Sequence, residues 1–470
     1  MAREINEECG VFGIYCQNHV AVAPLTYLGL FALQHRGQES SGMAVTDGRQ
    51  IMLYKGTDLV PKVFSEEKLK QLKGYAAIGH VRYSTTGSNL PENAQPLVVD
   101  SSFGQVALAH NGNLTNSVEL RGELTRSGAV FNTSTDTELI VNLLAQQGGD
   151  LETALVKTAQ QLAGAFALVV LTRKRLIGVR DPLGFRPLVL GARPDGYLLA
   201  SESCALTNLG AEVLREIQPG EMVIIDQDGV KFHKYAERQR ESFCVFEYVY
   251  FARPDSNLLG QSVHQVRKRI GATLWKEAPV EADVVIAAPD SGTPAAMGFA
   301  EASGLPFEIG LLKNRYIGRT FIEPSQQLRE LGVRIKLNPI GAVIRNKRIV
   351  IIDDSIVRGT TSAKIVRLLR ETGAKEVHMY AASPPYLYPC FYGIDTSQGT
   401  DLVAAKYNIE EIKRLIGADT LRYLSLEGLV EAVGIQKERL CLACFTGDYP
   451  LPIRGVTSKH CFEQNGSANE

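Results

Sequence analysis

A short apolar run at residues 349–352 leads directly into two adjacent carboxylates, Asp353 and Asp354, and then into a loop rich in serine, glycine and threonine. Apolar positions recur at helical spacing over 362–371, and a further strand-like run follows at 377–382. A strand that is apolar on both faces, followed by a loop and a helix, is typical of a parallel sheet covered by helices on both sides. The second half of the chain is therefore predicted to be a doubly wound α/β domain.

The first half of the chain has a different pattern. Short strand-like runs alternate with turn residues, and only residues 23–35 and 137–147 show helical spacing. Strands with few intervening helices predict an α+β layered domain. The strand-like runs are 42–45, 51–54, 76–79, 106–110, 165–171, 176–179 and 222–225. The pattern changes near 218–239, so two domains are predicted, residues 9–239 and 240–470.

The composition excludes several classes of function. The 470 residues carry a net charge of −1, with 45% hydrophobic and 21% charged residues. The lack of long basic runs argues against binding to nucleic acid or to a membrane surface, and no window approaches a membrane span. Residues 1–8 are too polar for a signal peptide. We expect a cytoplasmic protein, in which 8 cysteines point to catalysis or to a metal.

The segment at 353–361 has the chemistry of a phosphate site. Main-chain N–H groups and hydroxyls at the start of a helix bind phosphate, and paired carboxylates suit ribose hydroxyls or Mg²⁺. The alternative is a strand edge capped by acids. The run resembles the signature with which type I phosphoribosyltransferases bind phosphoribosyl pyrophosphate (PRPP). This resemblance implies PRPP contacts from Asp353, Asp354, Ser355, Arg358, Gly359, Thr360 and Thr361.

Two further segments extend this site. The loop 289–293 follows an apolar run at 284–288, and its N–H groups can wrap a pyrophosphate. The segment 312–338 is long and cationic for a surface loop in a compact domain. By the same resemblance it is a lid that closes over PRPP and excludes water. The residues implied are Asp290, Ser291, Gly292 and Thr293 in the loop, Lys313, Arg319 and Lys336 in the lid, and Ser291, Asp353 and Asp354 around Mg²⁺.

Cys9 lies close to the start of the chain, before a glycine and a strand-like apolar run. If residues 1–8 were removed as a propeptide, Cys9 would carry both a thiol nucleophile and an α-amino group. That amine has a pKa of about 8 and can take the thiol proton. The alternative is a buried cysteine on an N-terminal strand.

Four polar clusters in the first half are predicted to lie in loops between strands. Turn chemistry and helix capping are the structural alternatives for each of them. Together with Cys9, however, they supply what amide hydrolysis at an α-amino acid requires. Arg82 can bind an α-carboxylate, Asp136 can pair with an α-ammonium, and the Asn111 amide and Gly112 N–H can stabilise an oxyanion. The clusters are QHRGQ (34–38), GHVRYST (79–85), HNGN (110–113) and STDT (134–137).

The motifs CGVFGI (9–14), HRGQ, GHVRYST and HNGN resemble those of the class II, N-terminal-nucleophile glutamine amidotransferases. That family cleaves glutamine to glutamate and ammonia. The resemblance implies a four-layer αββα sandwich with Cys9 as nucleophile and Asn111 and Gly112 as the oxyanion hole. It also implies that Arg82 and Asp136 hold glutamine and that Arg36, in a loop near the site, belongs to the glutamine-binding residues.

The remaining cysteines include a CxxC pair, Cys441 and Cys444, with Cys244 and Cys390 distant in sequence. Four thiolates can bind structural Zn²⁺ or a [4Fe–4S] cluster, and their spacing does not decide between these. The contexts SFCVFE, YPCFYGID and LCLACFTG resemble the cluster-containing branch of the amidotransferases. This resemblance implies a [4Fe–4S] cluster on these four residues.

A class II glutaminase joined to a type I phosphoribosyltransferase resembles the glutamine PRPP amidotransferases. The resemblance implies that ammonia from glutamine passes through the protein to PRPP, giving 5-phosphoribosylamine, glutamate and pyrophosphate in the first committed step of purine synthesis. It also implies a homotetramer inhibited by purine nucleotides. The alternative functions are another class II amidotransferase and a PRPP-sensing regulator. The first would not need the segment 348–361, and the second would not need Cys9.

Overall fold

The computed structural model describes residues 9–17, 21–83, 87–237, 240–314, 337–395, 402–453 and 462. The predicted propeptide 1–8, the domain boundary at 239 and the lid residues Arg319 and Lys336 lie outside this part of the chain. Within it, no helix has the length and apolar character needed to cross a membrane.

The first half of the chain forms two antiparallel sheets. Their strands are β1 Gly10–Cys16, β2 Ser40–Thr46, β3 Ile51–Gly56, β4 Ala76–Arg82, β5 Leu97–Ser101, β6 Gly104–Leu114, β7 Gly164–Thr172, β8 Leu176–Arg180, β9 Val189–Arg193, β10 Gly196–Ala200, β11 Glu212–Glu216, β12 Glu221–Asp226 and β13 Gly229–Lys234. One sheet has the order β11-β9-β10-β1-β4-β2-β3, and the other has the order β13-β12-β8-β7-β6-β5.

Helices cover the outer face of each sheet. They are α1 Val22–Ala32, α2 Val60–Val63, α3 Glu66–Gln71, α4 Ser117–Arg126, α5 Asp136–Gln146, α6 Leu151–Gln161 and α7 Ser203–Thr207, with a 3₁₀ turn at Pro91–Asn93. Strand β1 is apolar throughout because it is covered on both sides. Val11 and Tyr15 pack against the second sheet, whereas Phe12 and Ile14 pack against helices. The predicted four-layer αββα sandwich is confirmed.

The second half of the chain is built on a parallel sheet. Its strands are β14 Phe243–Cys244, β15 Asn257–Leu258, β16 Gln261–Ser262, β17 Val284–Ala287, β18 Leu311–Lys313, β19 Leu337–Pro339, β20 Arg348–Asp353, β21 Glu376–Ala381, β22 Thr420–Tyr423 and β23 Leu440–Cys441. The central sheet has the order β17-β20-β21-β22, and all its strand pairs are parallel. The other strands form the pairs β14-β23, β15-β16 and β18-β19.

Both faces of the parallel sheet are buried. The helices are α8 Val263–Glu277, α9 Thr293–Ser303, α10 Gly341–Ile344, α11 Thr360–Thr372, α12 Val403–Lys406, α13 Ile409–Ile416, α14 Leu426–Val433 and α15 Ala443–Thr446, with a π-helix at Glu247–Phe251 and a 3₁₀ turn at Lys437–Arg439. Alternate residues of β20 point to opposite faces. Val350 and Ile352 pack with α8 and α9, whereas Ile349 and Ile351 pack with α11 and α13. The predicted doubly wound domain is confirmed.

Candidate active site

Cys9, Arg82 and Asn111 lie at the same end of the two-sheet sandwich. Gly10 of β1 pairs with Val81 of β4, so Cys9 comes opposite the end of β4, where Arg82 lies. Asn111 lies on β6, in the second sheet. The two sheets meet here through a 3.0 Å hydrogen bond between Nε2 of His80 and the carbonyl oxygen of the residue before Asn111. Since side chains alternate along a strand, Arg82 and Asn111 share the inner face with Ile78 and Ala109, which pack between the sheets.

Cys9 is buried, and both of its polar ends make contacts. Its Sγ lies 3.3 Å from the carbonyl oxygen of Tyr83, and its own carbonyl oxygen accepts a 3.0 Å hydrogen bond from Nε of Arg36. The main chain that carries the thiol is therefore fixed by a guanidinium. Arg36, which is predicted to lie near the site, is thus in contact with Cys9.

Asn111 and Gly112 have the properties of an oxyanion hole. Nδ2 of Asn111 is buried and, among the described residues, makes no hydrogen bond. Gly112 has a φ of +143°, and a Cβ there would lie 2.0 Å from the carbonyl oxygen of Ala165. Only glycine fits this backbone, and a buried donor without a partner is costly unless a ligand satisfies it.

Arg82 is the last residue of β4, and Asp136 is the first residue of α5. Nη1 of Arg82 donates to the carbonyl oxygen of Ser88 at 3.1 Å. Oδ2 of Asp136 accepts a 3.1 Å hydrogen bond from the main-chain N–H of Leu114. A cation at the end of β4 and an anion at the end of β6 thus lie at this end of the two sheets, which suits the carboxylate and ammonium groups of an amino acid.

The prediction that all four polar clusters lie in loops is wrong for three of them. Residues 79–82 belong to β4, His110–Asn113 belong to β6, and Asp136 opens α5 instead of preceding it. β6 continues through the Asn-Gly pair because it stays in register with β7, from His110 opposite Leu168 to Leu114 opposite Gly164. The pairing with a long neighbouring strand overrides the turn preference of Asn-Gly.

The two phosphate loops of the second half meet at the carboxyl edge of the parallel sheet. Strands β17 and β20 are neighbours, and the loops that follow them contact each other, since Oγ of Ser291 donates to a carboxylate oxygen of Asp354. A Cβ on Gly292 would lie 2.4 Å from the carbonyl oxygen of Ile352, so the first loop rests directly on β20. Nζ of Lys313 lies 3.0 Å from Oδ2 of Asp290.

The second loop leads into α11. Gly359 precedes Thr360, the first residue of that helix, so the N-terminus of α11 ends the loop that begins at the two carboxylates. Oγ of Ser355 donates to Oδ1 of Asp354 at 2.6 Å, and the main-chain N–H of Asp354 donates to Oδ1 of Asp353 at 3.0 Å. These contacts fix the loop around the two acids.

The donors at this edge fit Mg²⁺ that is shared with a phosphate substrate. Ser291, Asp353 and Asp354 offer hydroxyl and carboxylate oxygens, which this ion prefers, and Mg²⁺ commonly uses one or two carboxylates plus substrate phosphates. In the part of the chain that the structure covers, no group of three or more His, Cys, Asp or Glu side chains is arranged to hold a metal ion by itself.

Cys244, Cys390, Cys441 and Cys444 lie in one region of the second half, but among the described residues they are not arranged as a group that could hold a metal ion. Cys244 lies directly opposite Cys441 in the parallel pair β14-β23. Burial, followed by the charges of the other three thiols, raises the pKa of Cys444 well above its usual value. The main-chain N–H of Tyr392 donates to Sγ of Cys390 at 3.4 Å. None of the four is joined in a disulfide.

Several polar residues that shape the sites carry no signal in the sequence. Asn93 is fully buried and joins two loops of the first half, and Gln95 accepts a 2.8 Å hydrogen bond from the N–H of His110. Glu202 and Glu247 both pair with Arg36. These partners of Gln95, Glu202 and Glu247 are 15, 166 and 211 residues away, so spacing along the chain could not have identified them.

Each half of the chain matches a known domain family. Residues 80–208 match the glutamine amidotransferase domain family, and residues 261–383 match the phosphoribosyl transferase domain family. The amidophosphoribosyltransferase of Bacillus subtilis (strain 168) is 50% identical over 455 residues, which cover 96% of this chain and 95% of that protein.

Two solved structures share the whole architecture. The glutamine PRPP amidotransferase of B. subtilis, complexed with ADP and GMP, is 48% identical with a TM-score of 0.91, covering 96% of this chain and 100% of that one. A structure described as the allosteric regulatory enzyme of purine biosynthesis is 48% identical with a TM-score of 0.91, covering 96% and 97%. This chain therefore belongs to the amidophosphoribosyltransferases, the enzymes that use glutamine to aminate PRPP in purine biosynthesis.

Proposed function

We propose that Cys9 is the nucleophile that attacks the side-chain amide of glutamine once residues 1–8 have been removed. Its free α-amino group takes the thiol proton, and the sulfur then bonds to the amide carbon. The α-ammonium returns a proton to the leaving nitrogen, so ammonia departs and a thioester remains, which water hydrolyses to glutamate. The single observation that carries this role is the buried Nδ2 of Asn111, which lies at the same end of the sandwich as Cys9 and has no hydrogen-bond partner in the part of the chain that the structure describes.

The surrounding residues bind and stabilise. Nδ2 of Asn111 and the N–H of Gly112 stabilise the oxyanion, each donor contributing about 3–4 kcal/mol. Arg82 binds the α-carboxylate of glutamine and Asp136 binds its α-ammonium, which fixes the amide against Cys9. The buried contacts of Arg82 and Asp136 with main-chain groups support this division because they orient both side chains in advance.

The second half uses the ammonia. Ammonia attacks C1 of PRPP, the bond to pyrophosphate breaks, and loss of a proton leaves 5-phosphoribosylamine. The loop residues Asp290, Ser291, Gly292 and Thr293 surround the pyrophosphate, and the segment from Ser355 through Arg358 to Thr361 binds the 5-phosphate. Ser291, Asp353 and Asp354 would hold Mg²⁺, which would supply positive charge to the leaving pyrophosphate. Lys313, which lies beside Asp290, brings positive charge to the pyrophosphate, and the predicted lid residues Arg319 and Lys336 lie outside the described residues.

Glutamate release tests the coupling of the two halves. Purified protein should have an intact mass that lacks residues 1–8, and PRPP should stimulate its glutaminase activity. An unstimulated glutaminase would favour a different amidotransferase, and PRPP binding without turnover would favour a regulator. An added enzyme that consumes free ammonia should not slow synthesis from glutamine, because the ammonia passes inside the protein. Equal inhibition of the glutamine-supported and ammonia-supported reactions would contradict that passage.

Cys244, Cys390, Cys441 and Cys444 are proposed to hold a [4Fe–4S] cluster. The pairing of Cys244 with Cys441 and the N–H···S contact of Cys390 support this, since N–H donors commonly surround cluster sulfurs. Protein purified without oxygen should contain iron and sulfide in equal amounts and absorb near 400 nm. Cys390→Ser should lose iron, whereas Cys16→Ser, a buried cysteine of β1, should keep it. Bound zinc without iron would contradict the assignment.

Regulation and assembly are proposed by analogy with the relatives. Because the B. subtilis structure contains ADP and GMP, we propose that purine nucleotides inhibit this enzyme, which works as a homotetramer in the cytoplasm. Titration of the PRPP reaction with ADP and GMP tests the inhibition, and the mass of the native assembly tests the tetramer. Unchanged rates at saturating nucleotide, or a stable active monomer, would contradict these proposals.

A further inference from the structure

We propose that Glu247, in the second half of the chain, positions the Cys9 nucleophile of the first half by acting through Arg36. The proposal rests on the role of Cys9 proposed above. Glu247 lies between the two matched domain segments, which end at residue 208 and begin at residue 261. It touches no reacting atom, so it is a positioning residue.

Arg36 and Glu247 form a bidentate ion pair. Nη1 of Arg36 donates to Oε2 of Glu247 at 2.9 Å, and Nη2 donates to Oε1 at 2.7 Å. Both side chains are fully buried. A planar guanidinium held at two points by one carboxylate has its orientation fixed, which a single contact would not achieve.

The remaining nitrogen of the same guanidinium reaches Cys9. Nε of Arg36 donates to the Cys9 carbonyl oxygen at 3.0 Å. Once residues 1–8 are removed, Cys9 is attached to the chain on one side only. A hydrogen bond to its carbonyl then restricts the rotation of the residue that carries both the thiol and the α-amino base, and small displacements at such a centre are costly in rate.

Glu247 itself is held by the core of the second half. It begins the π-helix Glu247–Phe251, whose Tyr248 and Val249 pack in one cluster with Val285 and Val350 of the parallel sheet. The carboxylate that orients Arg36 therefore moves with the sheet that carries the PRPP loops. The first half cannot complete this contact alone.

Neighbouring charges keep Glu247 ionised. Burial favours its neutral form, but the charge and hydrogen bonds of Arg36, with the charge of Arg186, hold the pKa of Glu247 below its usual value. Nη1 of Arg36 also donates to Glu202 at 2.7 Å, and the same Glu202 oxygen lies 2.7 Å from Nε2 of His35, so the buried cluster joins two carboxylates with Arg36, Arg186 and His35. The loss of one carboxylate charge leaves an excess cation beside Cys9.

Glu247→Gln in the processed, full-length enzyme tests the proposal, with Glu216→Gln as matched control. Glu216 also makes a contact between the halves, because its side chain accepts a hydrogen bond from the N–H of Leu259. Among the described residues it contacts neither Arg36 nor Cys9. We expect Glu247→Gln to lower the glutaminase kcat by about tenfold or more, with KM for glutamine changed by less than about threefold. Alkylation of Cys9 by iodoacetamide, followed by peptide mass mapping, should slow by a similar factor.

Synthesis from high ammonia separates positioning from folding. It should be unchanged in Glu247→Gln, and the Glu216→Gln control should retain both activities. Equal loss of both activities in Glu247→Gln, or equal glutaminase loss in the two variants, would overturn the proposal. Glu247→Asp keeps the charge and should retain more glutaminase activity than Glu247→Gln; no deficit in either variant would also overturn it. If alkylation of Cys9 in the unmodified enzyme spares glutaminase activity, the nucleophile assignment fails instead.

Discussion

The imidazole of His80, on β4, donates a 3.0 Å hydrogen bond from Nε2 to the carbonyl oxygen of His110, on β6. The bond joins the two sheets one residue before Asn111, so it sets the separation between the strand that ends at Arg82 and the strand that carries the oxyanion donor. Nδ1 of His80 is buried and has no hydrogen-bond partner among the described residues. A second proton on this ring would have no acceptor.

The stability of the protein should therefore fall in mild acid. Burial lowers the pKa of His80 to about 3, whereas an unfolded histidine titrates near about 6.5. Between these values the unfolded state binds one more proton, so the free energy of unfolding decreases by up to about 1.4 kcal/mol for each unit of falling pH. Chemical denaturation from pH 7 to pH 4 measures this slope.

His80→Gln should flatten the slope over that range, because its amide can donate to the same carbonyl and does not titrate. His233→Gln, on the exposed strand β13, is the matched control and should leave the slope unchanged. An unaltered slope in His80→Gln would show that other groups cause the acid sensitivity.

Asn111→Ala should lower the glutaminase kcat by about 10²–10³-fold, or about 3–4 kcal/mol, with little change in KM. The amide is expected to act only in the transition state, where the oxyanion forms. Asn142→Ala is a suitable control because that amide, on α5, also lacks a hydrogen-bond partner among the described residues. A similar loss in both variants would mean that the effect is structural.

Asn93→Ala should raise KM for glutamine by roughly tenfold, about 1.4 kcal/mol. Nδ2 of Asn93 donates to the carbonyl oxygen of Ser88 at 2.8 Å, and its Oδ1 accepts from the N–H of Ser134 at 3.0 Å. The loop that contains Ser88 is also held by Arg82, and the loop that contains Ser134 leads to Asp136. Asn93 therefore sets the distance between the two substrate-binding charges. Steady-state kinetics with glutamine measure the effect, and an unchanged KM would contradict it.

Gly292→Ala should weaken PRPP binding by about tenfold or more, since the loop must move to relieve a contact of 2.4 Å with the carbonyl oxygen of Ile352. Gly341→Ala provides the comparison, because a Cβ there meets its nearest atom at an ordinary 3.7 Å. KM for PRPP in the ammonia reaction is the measurement. Equal KM values for the two variants would show that the loop does not cradle the pyrophosphate.

The sequence was most informative where fold and chemistry lie close together along the chain. Strand β20, Asp353, Asp354 and the start of α11 occupy one segment, so apolar pattern and loop composition predicted them together. The prediction of a loop at His110–Asn113 is wrong because the local turn preference of Asn-Gly does not include the effect of β7, the neighbouring strand that pairs with these residues. Glu247, 211 residues from Arg36, could not be found from spacing because only the packed domains bring the two together.

The central claim is that Cys9 releases the ammonia that reaches PRPP, and one pair of assays tests it most directly. Phosphoribosylamine formation by Cys9→Ala should be measured with glutamine and, in parallel, with high ammonia. Cys9 is the proposed nucleophile of one half only, so synthesis from glutamine should disappear while synthesis from ammonia continues at the rate of the unmodified enzyme. Retention of the glutamine reaction, or loss of both reactions in a folded variant, would contradict the account.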